Sequence, residues 1–244
     1  RELPLLVLGR GSNLLVRDGG IRGVVVSLAH EAFARLEMRE DRIFAGACVR
    51  LKTLANEARK AGLAGLEFLE GIPGSLGGAL CMNAGAMGSM MFDVVESIRF
   101  IDRMGEIHTR PASEVESVYR SCPLLKGNIA LSAVLRGEPS SDKEVAERMR
   151  EFSEKRIASQ PGARSAGCIF KNPEICPAGR LVDELGLKGA RVGDAMVSEA
   201  HGNFIINGGN ATATDMLELI EMIQERAWAE RGIKLQTEVQ IVGE

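Results

Sequence analysis

The sequence predicts an α+β protein in two domains, and three observations carry that reading. Up to Leu135, short apolar and β-branched runs alternate with glycine turns, so strand patterns outnumber helical ones. At Gly137-Glu138-Pro139-Ser140-Ser141 the composition shifts, and a charged helical pattern follows at once. Beyond it, further helical patterns mix with short strands. The predicted domains are therefore 1–140 and 141–244, with the last strand, about 234–242, placed to return to the first domain.

The elements follow in order. Pro4–Leu8 (PLLVL) reads as a buried strand and Gly23–Leu28 (GVVVSL) as a second, with Arg42–Ala47 a third. The strand pattern at Pro4 comes directly after Arg1, so further residues are expected in front of it. Leu51, Leu54, Ala55, Ala58 and Ala61 recur at helical spacing, and Gly62 closes that helix. Residues 71–88 are too poor in polar periodicity for a surface helix and too apolar for a linker, so they read as backbone making close approaches. Val94–Asp102 and Glu106–Thr109 form a hairpin around Met104-Gly105, and Ile129–Leu135 is another strand. In DKEVAERMREFSEKR, Val145, Met149 and Phe152 share a helix face. Pro177 opens a short helix carrying Leu181, Val182 and Leu185, with Gly186 as its stop; Phe204–Ile206 is a short strand. Thr212 or Thr214 caps a long helix that Gly232 ends. In the closing strand QTEVQIV, Thr237, Val239 and Ile241 face the core while Gln236, Glu238 and Gln240 face away.

Composition excludes several classes of function. The chain has 244 residues, 45% hydrophobic and 26% charged, with a formal net charge of −3. That is a globular balance without the basic stripe a nucleic-acid binder needs. Five cysteines, Cys48, Cys81, Cys122, Cys168 and Cys176, form no C-x-x-C pair. An odd, scattered set argues against a disulfide framework or a metal cage and fits a reducing, cytoplasmic setting. No apolar run is long enough to span a bilayer.

Two glycine segments carry the chemistry. In GRGSN, Gly9 and Gly11 permit tight dihedrals, and the amides of Ser12 and Asn13 are positioned to meet a phosphate, with Leu14 beginning the next apolar run. The segment lacks the third glycine of a dinucleotide fingerprint and the Lys-Ser/Thr ending of a P-loop. A plain strand turn explains it equally well. GIPGSLGGALCMNAGA is more specific: glycines, one proline and one asparagine sit among small apolar neighbours. A pyrophosphate needs amides without side chains in the way, and a flavin ring needs snug apolar walls with a few polar contacts.

These two segments resemble the flavin-binding half of the UDP-N-acetylenolpyruvoylglucosamine reductase (MurB) family of bacterial peptidoglycan synthesis. The resemblance continues through VYRSCPL, SAGCIFKNP, AGRLVDELGLKGARVGDAMVSEAHGNFIIN and GIKLQTEVQIVG, in the family's order and over nearly the whole chain. It implies an FAD-binding domain of the vanillyl-alcohol-oxidase/PCMH type and a smaller C-terminal α/β substrate domain. It implies FAD as cofactor, NADPH as reductant and a UDP-sugar as small-molecule partner, in a monomeric cytoplasmic protein with no nucleic-acid, membrane or metal partner. The cofactor residues it marks are Gly9, Gly11, Ser12, Asn13, Leu14, Gly71, Ile72, Pro73, Gly74, Ser75, Gly77, Gly78, Asn83, Gly85 and Ala86. Two departures stand out. The family's Arg-Ile-Gly-Gly-type segment ahead of Gly-x-Gly-Ser-Asn is absent, and Cys168 stands where the family has a proton-donating serine. The short stretch from Arg120 to Cys168 resembles the branch without an extra substrate-covering loop.

The resemblance makes Cys168, Arg120 and Glu238 the catalytic residues. A thiol titrates near 8.5, so it is mostly protonated at neutral pH and a much stronger acid than an alcohol. Lys171 nearby would favour the thiolate left behind. Read without the family, Cys168 is an ordinary small buried hydrophobe. Arg120 offers a planar fork to a carboxylate and to developing negative charge; Glu238, if partly buried, would share a proton with the substrate carboxylate. Tyr119, Lys171, Asn172 and His201 are the substrate-binding candidates. Rival readings are a flavin oxidase of the same fold, which would use oxygen, and a flavin-free nucleotide-binding remnant.

Overall fold

The computed structural model describes residues 3–244. Contacts divide the chain into two compact units, one of residues 6–10 and 26–156, the other of 3–5, 11–25 and 157–244. The composition shift near 140 thus lies inside the first unit. The reason is packing: the helix that follows the composition shift puts Val145 and Met149 into the first unit's core, with Phe152 against it.

The first unit is built on a five-stranded antiparallel sheet. Its spatial order is Ile107–Pro111, Val95–Ile101, Ile129–Arg136, Arg42–Gly46 and Leu36–Arg39. The hairpin and the strands at 42 and 129 form as the sequence predicts; Leu36–Arg39 is an addition. Alternation buries Ile43 and Ala45, Ile98 and Phe100, Ala133 and Leu135 on one face. Helix α1, Leu51–Lys60, lays Leu51, Leu54, Ala55 and Ala58 on that core and stops before Gly62, whose φ of 68° favours a residue without Cβ. Truncating the fully buried Leu54 to alanine should cost about 2–5 kcal/mol.

The glycine-rich stretch contains a helix that its composition hides. Helix α2, Leu76–Met82, buries Leu76, Ala79 and Leu80 and ends on Asn83 in the left-handed region, φ 40°. It lacks polar periodicity because its other face is glycine, not charge. The one-turn helix α3, Met91–Val94, follows, and then the long α4, Asp142–Ser159. Glu67, 6% exposed, accepts from the Gly65 amide and from Arg148 Nε of α4, both at 2.8 Å, which anchors α4 beside residues 65–71.

The second unit holds a four-stranded antiparallel sheet in the order Ser165–Cys168, Phe204–Asn207, Ala195–Val197, Arg191–Val192. Helix α5, Ala178–Glu184, and helix α6, Ala213–Arg231, pack Leu181, Val182, Leu219, Ile220, Ile223 and Ala227 against it. Thr212, not Thr214, is the N-cap of α6, paired with Asp215 in a reciprocal capping box, and Gly232 at φ 67° ends the helix. The strand Leu14–Val16, which its short apolar run did not announce, pairs in parallel with Gln240–Val242. The closing strand therefore completes the second unit. Only Gln240–Val242 of QTEVQIV joins that ladder; Thr237 bridges to Phe170 instead. Leu5–Leu8 and Val24–Ser27 form a two-stranded ribbon. Among the described residues, no helix is long and apolar enough to cross a membrane.

Candidate functional site

In the first unit Gly9, which opens the GRGSN segment, meets the second glycine segment. A Cβ built on Gly9 would lie 3.4 Å from Ser75 Oγ, so the end of the strand Leu5–Leu8 meets the start of α2. The glycines here divide by what they face. At Gly77 a Cβ would press to 3.1 Å from the Ala47 methyl, and at Gly85 to 2.6 Å from the Ser89 carbonyl. Those two are required by packing. Gly78, on the exposed side of α2, has no other described residue within 4 Å of such a Cβ, chain neighbours and its own helix backbone aside; the same holds in the second unit for Gly11, at φ 68°. Glycine inside a helix costs about 1 kcal/mol relative to alanine. No neighbour among the described residues explains that cost at Gly78; a ligand lying on bare backbone would.

The amides of Ile72, Leu76 and Gly77 donate to the carbonyls of Leu69, Val49 and Ala47. The diphosphate of FAD would therefore be held by the backbone of Gly71, Gly74, Ser75 and Gly78, with Pro73 exposed at the rim. Ser75 makes no side-chain cap to α2, so its hydroxyl is not committed to that helix. Asn83 is engaged otherwise: its Oδ1 accepts from the Phe92 amide at 3.1 Å, and its Nδ2 donates to the Val118 carbonyl at 3.2 Å. Ala86 pairs with Ser89 in the small hairpin after α2. This set of bare backbone and small apolar walls fits FAD.

Arg120 belongs to the same unit. Val118 and Ser121 bond to each other through both backbone groups, so Tyr119-Arg120 form a two-residue turn with Arg120 at φ 58°. The left-handed region costs a non-glycine residue about 1–2 kcal/mol. The guanidinium stacks 4.9 Å from the centre of the Tyr119 ring and donates to the Gly85 carbonyl at 3.3 Å. A strained backbone, a ring and a carbonyl thus aim one cation, beside the glycine segment. Arg156, at the end of α4, lies over the same segment, with its Cδ 3.1 Å from a Cβ on Gly71.

In the second unit the segment that follows the thiol meets the backbone of Glu238. The strand Ser165–Cys168 carries a register irregularity between its ends, with Gly167 at φ 80°, and Cys168 pairs with Phe204. Past Cys168 the Ile169 carbonyl accepts from the Glu238 amide at 2.7 Å, and the Lys171 amide donates to the Gln236 carbonyl at 2.9 Å. Glu238 is therefore a neighbour of the Cys168–Lys171 segment, although 70 positions separate the two in sequence. Asn13 joins them: its Nδ2 donates to the Glu238 carbonyl at 3.0 Å. Ser12 lies close by, its carbonyl 3.9 Å from a Cβ on Gly167. Cys168, Lys171 and Glu238 are each half-buried.

Other side chains have structural duties. Asn172 Oδ1 accepts from the Ala178 amide at 3.0 Å and so caps α5. His201 Nδ1 accepts from the Asn203 amide at 3.1 Å, which puts the ring proton on Nε2. Burial, with Lys188 adding to it, holds the His201 pKa below its ordinary value, so the ring is neutral at pH 7. Burial also pushes the Cys81 thiol up to about 11 and raises that of Cys122, as expected of thiols that serve packing. Sequence reasoning overlooked Asn203 and Arg156. The signal for Asn203 was an amide set between glycine and the apolar run FII; for Arg156 a helix-end arginine offered none.

A family model described as UDP-N-acetylenolpyruvoylglucosamine reductase, C-terminal domain, matches residues 160–242, and one described as FAD binding domain matches 1–110. The reductase of Geobacter metallireducens is 48% identical over 99% of this chain and 80% of its own length. That of Clostridium tetani is 44% identical over 100% of this chain and 79% of its own. The chain belongs to the UDP-N-acetylenolpyruvoylglucosamine reductase family. The crystal structure of a reductase of this family from Thermus caldophilus has a TM-score of 0.88 at 42% identity, covering 98% of this chain and 86% of that one. The FAD-binding match spans both glycine segments, and the reductase match spans Cys168, Lys171, Asn172, His201 and Glu238; Arg120 falls between the two.

Proposed function

We propose that this chain reduces UDP-N-acetylenolpyruvoylglucosamine to UDP-N-acetylmuramate, an NADPH-dependent, FAD-mediated step in making the peptidoglycan precursor. Within a chain of this family, the observation that carries the reading is a thiol on an irregular strand, one residue from the backbone contact with Glu238. FAD, held by residues of the glycine segments, would supply the hydride-transfer chemistry that links NADPH to the enolpyruvyl double bond of the UDP-sugar.

The rest is work for side chains. Reduction leaves negative charge on the carbon next to the substrate carboxylate. Cys168 meets it with a proton: the S–H bond breaks, a C–H bond forms, and the thiolate regains its proton from solvent. Lys171 stabilises that thiolate. The Arg120 fork stabilises the charge that spreads into the substrate carboxylate, and Glu238 is the third catalytic residue of this reading. Tyr119, Lys171, His201 and the Nδ2 amine of Asn172 hold the UDP-sugar. The remaining cofactor residues, Gly9, Gly11, Ser12, Asn13, Leu14, Ile72, Gly85 and Ala86, line the flavin. We place the protein in the cytoplasm as a monomer without nucleic-acid or membrane partners; five cysteines in no disulfide support the reducing compartment, and a net charge of −3 argues against a nucleic-acid partner.

A spectrum tests the reading. Protein loaded with FAD should show flavin absorbance, lose it on anaerobic addition of NADPH and regain it with the UDP-sugar. Recovery with oxygen alone would favour the oxidase reading. A protein that stays colourless after incubation with FAD would favour the flavin-free one.

A further inference from the structure

We infer that Asn203 is the positioning residue for the proton donor, an amide clamp that fixes the backbone carrying Cys168 and Lys171. The inference rests on the reading above for what Cys168 does, and on geometry alone for the clamp.

Asn203 is 3% exposed, and every polar atom of its side chain is spent on one residue. Its Oδ1 accepts from the Phe170 amide at 2.8 Å, and its Nδ2 donates to the Phe170 carbonyl at 2.8 Å. Its own carbonyl accepts from the Ile169 amide at 2.9 Å. The ladder between Ser165–Cys168 and Phe204–Asn207 stops at the Cys168–Phe204 pair, and there the amide side chain takes over as a strand partner. On the opposite edge of the segment stand the Gln236 carbonyl and the Glu238 amide. Ile169–Lys171 is thus held on both edges. The register irregularity around Gly167 interrupts the ladder just before Cys168, so the direction of the chain there is set from the far side, by Asn203.

Two observations support a purpose beyond filling space. Asn203 is itself fixed, by His201 Nδ1 on its own amide and by a close approach of Gly179 of α5, where a Cβ would come within 3.4 Å of the Asn203 nitrogen. An apolar residue of similar size would leave the Phe170 amide and carbonyl without partners in a site closed to water. The titratable groups around the clamp are His201 on its own loop, Cys168 and Lys171 on the held segment, and Glu238 beyond it. On the α5 side are Asp183 and Lys188, which pair with each other at 2.7 Å.

Asn203→Asp separates positioning from bulk. In a buried site the new carboxyl has a raised pKa. While protonated it reproduces the clamp, donating to the Phe170 carbonyl through its O–H; once ionised it loses the donor and sets charge against that carbonyl. With FAD-loaded protein in anaerobic stopped flow, flavin reduction by NADPH should match wild type at every pH. Reoxidation by the UDP-sugar should be near wild type at about pH 5.5 and fall ~10²-fold below it by about pH 8.5, the loss expected for a misplaced reacting group. A variant-to-wild-type ratio that is flat with pH, or equal loss in both half-reactions, would overturn the clamp. A second measurement is independent of the reaction: the rate of Cys168 alkylation by iodoacetamide, read by mass spectrometry. Its ratio to wild type should change over the same pH range while that of Cys176 stays constant; an unchanged Cys168 ratio also overturns the clamp. If wild type fails to reoxidise with the UDP-sugar, the proposed function falls, and the alkylation ratio still decides on the clamp. Should Asn203→Asp not fold, Asn203→Gln keeps donor and acceptor on a longer stem. It should slow reoxidation and shift Cys168 alkylation, and wild-type values on both would refute the inference.

Discussion

At Cys168 the sequence offers sulfur where the family resemblance implies oxygen, and the chemistry tolerates the exchange because a thiol is the stronger acid. Cys168→Ala should leave flavin reduction by NADPH near normal and slow reoxidation by the UDP-sugar ~10²–10⁴-fold in rapid-mixing experiments. Cys168→Ser should keep measurable turnover. Equal damage to both half-reactions in Cys168→Ala would remove the donor role. Arg120 makes a different point, since its backbone sits at φ 58°, where glycine is at ease. Arg120→Gly should leave the melting temperature of the flavin-free protein unchanged or raised while cutting reoxidation by ~10²-fold or more. A large fall in melting temperature would mean that the contacts to Tyr119 and Gly85, not the substrate, justify the strain.

In helix α2 packing and the proposed cofactor make different demands on neighbouring glycines. Gly77 and Gly78 are adjacent and chemically identical, yet one presses on Ala47 and the other faces open space. Gly77→Ala should destabilise the flavin-free protein by about 1–3 kcal/mol through overpacking. Gly78→Ala should stabilise it by up to about 1 kcal/mol through helix propensity and weaken FAD binding. Thermal melts of the flavin-free variants and FAD titrations followed by fluorescence separate the two effects. An unaltered FAD affinity in Gly78→Ala would take that face of α2 out of the cofactor site. This element was also where the sequence misled: glycine and small apolar residues carry no amphipathic signal, so helicity was hidden until burial of Leu76, Ala79 and Leu80 revealed it.

Across the molecule, bonds between residues distant in sequence close the second unit. Asp18 accepts from the Ala213 amide, the Thr214 amide and the Thr214 hydroxyl, across 195 positions or more, and caps α6 beside the Thr212 box. The Thr214 hydroxyl first, then the two amides, hold the Asp18 carboxyl below its ordinary value. A carboxyl depressed in the folded state stabilises fully above its unfolded pKa of about 3.9 and loses that contribution as pH falls through the folded value. Asp18→Asn should therefore melt lower than wild type at neutral pH, and the gap should close below about pH 4. A gap constant with pH would mean that packing, not charge, is what Asp18 supplies.

The sequence by itself determined the local structure and the chemical groups. Strand and helix periodicities, the capping threonine or its neighbour, the glycine stops, the thiol, the arginine and the glutamate were all readable, because each is set by a few adjacent residues and their backbone preferences. Only the tertiary structure decided which of them meet. It brought the backbone of Glu238 to the segment that follows Cys168 and Asn13 to Glu238, packed α4 on the first unit's core, and turned Asn203 into a partner for Phe170. Such meetings depend on burying apolar faces and satisfying buried amides across long stretches of chain, and spacing along one strand or helix does not record them.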